Sequence, residues 1–397
     1  MKKVAITGMG IISAIGNDSE ENFNALIQKK TGIAPLQNVA SVFTHKLKAG
    51  EVKKTNSDLI AELRLPEDNS YTRTALLGVY AAKQAVQNAG IEDINEYTTG
   101  LISSTSVGGM DFTEKHFFEY FKDSSLDKYI TSHDAGDTSN KIAAYLGIKG
   151  YVSTISTACS SAANAIMLGA RLINAGKLDR VIVGGTDALS KFTINGFNSL
   201  MILSDDYNKP FDDGRNGLNL GEAAAYLVLE SEESLRQSQK KVLAYVSGFA
   251  NTNDAFHQTA SSENGEGAYL AMEKALKVAQ LNKEAVDYVN VHGTATPNND
   301  LSEGRALVRL FKEKVPDFSS TKAYTGHTLA AAAAIEAVYS VLALQHGVVY
   351  PNLHFKTPMK EIPLIPNTEL KQKQIQHVLS NSFGFGGNCS SIIFSKA

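Results

Sequence analysis

Along most of the chain, runs of apolar β-branched residues alternate with segments whose apolar positions recur every three or four residues. Strands are expected at "KVAITGMG" (3–10), "GLISSTS" (100–106), "DRVIVGGTDAL" (179–189) and "AAAYLVLES" (223–231). A helix is expected over 71–90, with Gly90 as its C-terminal stop. The same order then returns: a strand at "VLAYVSGFAN" (242–251), a helix over 267–280, "VDYVNVHGTAT" (286–296) as a strand running into a loop, and a helix over 301–311. This is α/β layering written twice. The two halves meet in "EESLRQSQKK" (232–241), a charged helix end and not a Gly/Ser linker, which predicts halves 1–240 and 241–397 packed as one unit.

Composition narrows the class. The 397 residues, 43% hydrophobic and 20% charged, can bury a large core. A net charge of −3 without any long run of like charge gives no reason to expect nucleic acid. The two cysteines, Cys159 and Cys389, are too few for a disulfide framework and predict a reducing, cytoplasmic setting. No window approaches the roughly 20 unbroken apolar residues of a membrane span. The start "MKKVAITGMGIISAIG" has the basic opening of a signal peptide, but its glycines and the lack of a cleavage pattern favour a strand and turn. Gly8, Gly10 and Gly16 do not have the spacing of a dinucleotide fingerprint and read as turn glycines.

Candidate chemistry centres on "STISTACSSAANAI" (153–166). The residues before Cys159 suit a strand, and Ala163, Ile166, Met167 and Ala170 recur at helical spacing. Cys159 therefore falls at a strand-to-helix turn, where unpaired N–H groups favour a thiolate or an oxyanion. A free cysteine is equally at home as a small apolar core residue. Two histidines, His292 and His327, stand at strand ends among glycine and threonine, where α/β proteins place chemistry. A neutral imidazole there can donate to a developing enolate or move a proton. No short-spaced ligand pair is present, so no metal is expected.

"TACSS" (157–161), "VNVHGTATPNND" (289–300), "TKAYTGH" (321–327) and "NSFGFGG" (381–387) occur in the order of the β-ketoacyl-[acyl-carrier-protein] synthases. The chain resembles their KAS I/KAS II branch from Val4 to Phe394. The resemblance implies a thiolase-like five-layered αβαβα fold of two similar halves, a homodimer, and no cofactor beyond the phosphopantetheine arm of an acyl carrier protein. It implies Cys159 as nucleophile, with the backbone N–H groups of Cys159 and Phe383 as oxyanion hole. His292 and His327 would stabilise the enolate left when malonyl-carrier protein loses carbon dioxide. Lys322 would hold the histidine and tune local charge, with Glu336 as its partner. Thr294 and Thr296 would bind the pantetheine amides, and Val107 and Phe197 would line the acyl channel.

The chain departs from this pattern in several places. "GFGGNC" (384–389) stands where the family commonly has "GFGGTN", and Cys389 is taken as structural. The segment 131–141, "TSHDAGDTSNK", is polar where long-chain synthases are apolar; Asp134 and Asp137 there would be costly against a saturated chain. That favours a specialised polyketide or polyene pathway over long-chain fatty-acid elongation. Carrier docking predicts a locally basic surface, with Lys128 and Arg73 as candidates, while Met201 replaces a familiar arginine. The alternatives are a catalytically silent chain-length factor, which would lack the cysteine, and a Cys/His acyl hydrolase. Heterodimer formation with a chain-length factor stays open.

Overall fold

The computed structural model describes residues 2–39 and 41–397. Ten strands form one hydrogen-bonded sheet: β1 (Val4–Ile12), β2 (Thr99–Ser104), β3 (Val152–Ile155), β4 (Arg180–Asp187), β5 (Ala223–Glu230), β6 (Ala244–Asn253), β7 (Tyr288–Asn290), β8 (Asp317–Ser319), β9 (His377–Gly384) and β10 (Asn388–Ser395). Their order in space is β8-β7-β9-β10-β6-β1-β5-β4-β2-β3. The first five strands thus run β1-β5-β4-β2-β3 and the last five β6-β10-β9-β7-β8, the same permutation. The parities also match. In each set the first, fifth and fourth strands pair antiparallel, and the fourth, second and third pair parallel. The two sets are continuous, since β1 and β6 join them antiparallel, Val4 opposite Val246 and Ile6 opposite Ala244.

Seven helices matter to the argument: α1 (Arg73–Asn88), α2 (Ala135–Leu146), α3 (Ser161–Asn174), α4 (Lys191–Ser199), α5 (Glu266–Ala279), α6 (Pro297–Phe311) and α7 (Ala332–His346). Helices α3 and α7 share the largest core cluster with strands of both halves. Every residue of α7 from Ala332 to Leu344 is buried, so it has no polar face, as a helix packed on all sides requires. The stretch Leu329–His346 is long and apolar enough to cross a membrane, but 89% of it is buried inside the protein. A second core lies between α1, α2 and the first strand set, and a third between α5, α6 and the second set. Helix, sheet, paired helices, sheet, helix gives the five layers.

Gly8 and Gly10 have a different use from the turn role expected of them: both lie inside β1. A Cβ on Gly10 would sit 2.1 Å from the Ala81 carbonyl oxygen, and one on Gly8 2.3 Å from that of Ala85. Their missing side chains let α1 lie against the strand. Helix α6 starts four residues earlier than its apolar pattern suggests, because Pro297 occupies the first turn, where its fixed φ is favourable.

Candidate active site

Cys159 occupies the expected turn. Strand β3 ends at Ile155 and α3 begins at Ser161. Between them Ala158 takes a left-handed φ of +51°, a conformation costing a non-glycine residue about 1 kcal/mol or more. Side chains hold the turn: Ser161 Oγ accepts from the Thr157 N–H at 2.8 Å, and Ser160 Oγ donates to Asn388 Oδ1 at 2.7 Å. A second turn, 385–387, connects β9 to β10 and presses against the first. A Cβ on Gly384 would come within 2.8 Å of the Thr157 carbonyl oxygen. That closeness brings the Phe385 N–H near Cys159, where it and the Cys159 N–H favour the thiolate against burial.

The backbone N–H beside Cys159 is thus that of Phe385, which corrects the expectation for Phe383. Phe383 lies within β9, opposite Cys389 of β10, while Phe385 is the first residue beyond the strand. The ring of Phe383 does belong to the site, with its centroid 5.7 Å from that of His292.

The histidines arrive from the second half of the chain. His292 follows β7, and its N–H and that of Gly293 each donate to the Glu303 carboxylate of α6 at 2.9 Å. His327 precedes α7, with its N–H on the Asn219 carbonyl at 2.7 Å. The Leu329 N–H donates to His327 Nδ1 at 3.2 Å, so the ring proton belongs on Nε2, which lies 3.0 Å from Cys159 Sγ. The two imidazoles meet edge to face at 5.5 Å.

Burial sets the charge states. It pushes the Cys159 thiol up to about 11, against the pull of Lys322 and the two backbone N–H groups. Both histidines lie well below the usual imidazole range, through burial first and the Lys322 charge second. The resting site is thus a thiol between neutral imidazoles. Lys322 and Glu336 are both buried and form an ion pair, and burial raises the Glu336 carboxyl. Cys159 Sγ and one nitrogen from each histidine lie within 4.8 Å of one another, a donor set zinc could use. His327 argues against it: freeing Nε2 would move the proton to Nδ1, into the Leu329 N–H.

Cys159, His292, His327, Thr294, Thr296, Phe197, Phe383 and Phe385 line one cavity of about 260 Å³. Thr296 is the N-cap of α6 but makes no capping bond; its hydroxyl faces that of Thr294 at 2.9 Å. Phe197 stacks on Phe385 with centroids 6.0 Å apart. Val107 does not line this cavity; its N–H turns to Asp187. Arg73 is corrected as a docking candidate, since its guanidinium is spent on the buried carboxylate of Glu222. Lys128 pairs with Asp68. Asp134 caps α2, and Asp137 pairs with Lys141 at 2.7 Å, so the segment 131–141 is polar for local reasons of its own. Cys389 borders the cavity as a buried thiol that burial keeps protonated.

Sequence reasoning missed three supports. Asp187, raised by burial to about 6, accepts from the Ser106 N–H at 3.0 Å and the Ala330 N–H at 2.8 Å, tying the 105–107 turn to the His327 segment. Glu303, raised to about 7, braces His292. Asn388 accepts from Ser160, Asn164 and Asn251, linking both turns. Only Phe385 had a visible signal, glycines on both sides.

Family comparison agrees with this geometry. Residues 1–234 match the β-ketoacyl synthase N-terminal domain and 243–356 the C-terminal domain. The chain belongs to the β-ketoacyl synthase family. This synthase is a KAS II-like condensing enzyme, an acyltransferase of thiolase-like fold. It is 34% identical to 3-oxoacyl-[acyl-carrier-protein] synthase 2 of Staphylococcus aureus (strain COL), over all of this chain and 98% of that one. Among solved structures, the synthase resembles the ishigamide ketosynthase/chain length factor with a TM-score of 0.92 and 28% identity, covering 100% and 99% of the two chains. It also resembles the ketosynthase ApeO in complex with its chain length factor ApeC from Xenorhabdus doucetiae, at a TM-score of 0.85, 30% identity and coverage of 100% and 98%.

Proposed function

We propose that this protein condenses malonyl-carrier protein with an acyl group held on Cys159. The observation that carries the reading is His327 Nε2 at 3.0 Å from Cys159 Sγ, beside backbone N–H groups of Cys159 and Phe385 that favour the thiolate. In the first step Cys159 takes the acyl group from a carrier thioester, and its proton leaves with the carrier thiol. The two N–H groups hold the tetrahedral oxyanion. The phosphopantetheine arm of malonyl-carrier protein then passes Thr294 and Thr296. Loss of carbon dioxide leaves an enolate, which His292 and His327 stabilise as neutral donors. The enolate carbon attacks the acyl-Cys159 carbonyl, and collapse expels the cysteine thiolate, which takes up a proton. Lys322, held by Glu336, supplies positive charge behind the histidines. No separate cofactor is required.

We assign the synthase to a specialised polyketide or polyene pathway with a short, unsaturated or aromatic acyl group. The 28–30% identity to ketosynthases solved with chain length factors supports this, as does the Phe197–Phe385 stack in the cavity. The halves divide at 240/241, and the assembly is a homodimer or a pair with a chain-length factor. Two buried free thiols suit a cytoplasmic setting.

Intact-mass measurement tests the reading, using short saturated, long saturated, polyunsaturated and aromatic acyl-carrier proteins followed by malonyl-carrier protein. The expected result is an adduct on Cys159 that disappears on malonyl addition, leaving a product two carbons longer. Cys159→Ala should abolish condensation but retain malonyl decarboxylation. A catalytically silent subunit would show no adduct, and a hydrolase would turn over without malonyl donor.

A further inference from the structure

The cavity opens between the end of α4 and the loop 254–261, and its rim carries apolar side chains that the chain leaves uncovered. Met201 is 89% exposed, Phe256 62% and Leu200 43%. Leu200 itself lines the cavity and Met201 follows it in the chain, while Phe256 lies between Asp254 and His257, the nearer lining residues of the opposite loop. Exposed apolar side chains scattered singly need no explanation, whereas their clustering around an entrance points to a partner. The rim turns are also fixed. Met201 and Ala255 have left-handed φ values of +55° and +48°, and such backbone persists only where its surroundings dictate it.

Among the described residues no lysine or arginine lines the cavity. The neighbouring Arg215 spends its guanidinium on the carbonyls of Asp212 and Pro297. Asp254 is occupied by the Ser262 N–H and hydroxyl and the Gly267 N–H.

We propose that Met201, Phe256 and Leu200 form the docking surface for the carrier protein, which is gripped by apolar contact and not by charge. The inference rests on the condensing reading above, because a tethered thioester reaches Cys159 only when the protein at the far end of the tether sits over this mouth. The carrier that fits would present apolar side chains around the attachment point of its arm.

The experiment compares acyl-carrier protein with the matching acyl-pantetheine thioester as donor, using the carrier that gives the fastest condensation in the panel above. For the wild type, KM for the carrier-borne donor should change by less than about twofold between 50 and 500 mM NaCl, where charge-driven docking would weaken about tenfold or more. Met201→Ser with Phe256→Ser should raise that KM about tenfold, the scale of losing two partly buried apolar contacts. KM for the pantetheine thioester should stay unchanged. Strong salt dependence, a double variant without effect, an equal rise for both donors, or no advantage of any carrier over pantetheine would each overturn the proposal. Failure of the wild type with carrier and pantetheine donors alike would instead remove the condensing reading, and the docking surface with it.

Discussion

At the scale of single residues, the site works through charge states that burial imposes. Neutral histidines can donate without carrying charge into a buried site, and their pKa values are displaced downward. The neutral form therefore persists as pH falls through the ordinary imidazole range. Malonyl decarboxylation by Cys159→Ala is expected to stay flat from pH 8 to pH 6, where an unperturbed imidazole would show a midpoint near about 6.5. A rate profile with that midpoint would refute the assignment. A proton on His327 Nδ1 would oppose the Leu329 N–H, which is a second reason for the neutral form. The Lys322–Glu336 pair invites a different test. Lys322→Met strands a buried carboxylate and should cost about 3–5 kcal/mol in urea denaturation. Adding Glu336→Met should restore most of the stability but not the decarboxylation rate. Recovery of both would reduce Lys322 to a structural role.

At the scale of elements, what could be read in the sequence follows from what each pattern encodes. The Cys159 turn was legible because a β-branched run gives way to a small-residue helix, and the His292 and His327 loops because glycine and threonine interrupt apolar runs. Phe385 carried only the signal of glycine on both sides, since residues 383 and 385 otherwise share one alternating face and period-two patterning does not say where the ladder ends. Asp187 and Glu303 read as ordinary solvated charges until their backbone donors are seen. Arg73 looked like a surface cation because its partner, Glu222, lies 149 residues away. The β9–β10 hairpin hid behind "SNSFGFGGNCSS", whose serines and asparagines are largely buried and bonded among themselves and to neighbouring elements. Asp134, read from the sequence as facing the acyl chain, has a local use as a helix cap. Asp134→Ala should cost about 1 kcal/mol of stability and leave acyl preference unchanged. An altered chain-length profile would return the residue to the acyl channel.

At the scale of the whole molecule, the side chains gathered at the candidate site come from both halves. Cys159 belongs to the first set of strands and helices, while His292, His327 and Phe385 belong to the second, so neither half holds a complete site. The halves are held together by the β1–β6 seam and by α3 and α7 within a shared core, not by the segment that connects them. A protease site placed after Gln239, at the left-handed end of the helix Glu232–Ser238, should therefore be cleavable with condensation retained. Either half expressed alone should be inactive. Loss of activity on cleavage would show that the covalent link, and not the seam, keeps the site assembled. The repeated strand order gives this arrangement a further meaning. Cys159 lies between the third strand of its half and the buried helix that follows, and His327 lies between the third strand of the other half and its buried helix. Cys159 and His327 thus occupy equivalent stations of a repeated unit, with His327 Nε2 3.0 Å from the sulfur. The repeat brings two equivalent turns, one from each half, to a single meeting point, and each contributes a different side chain there.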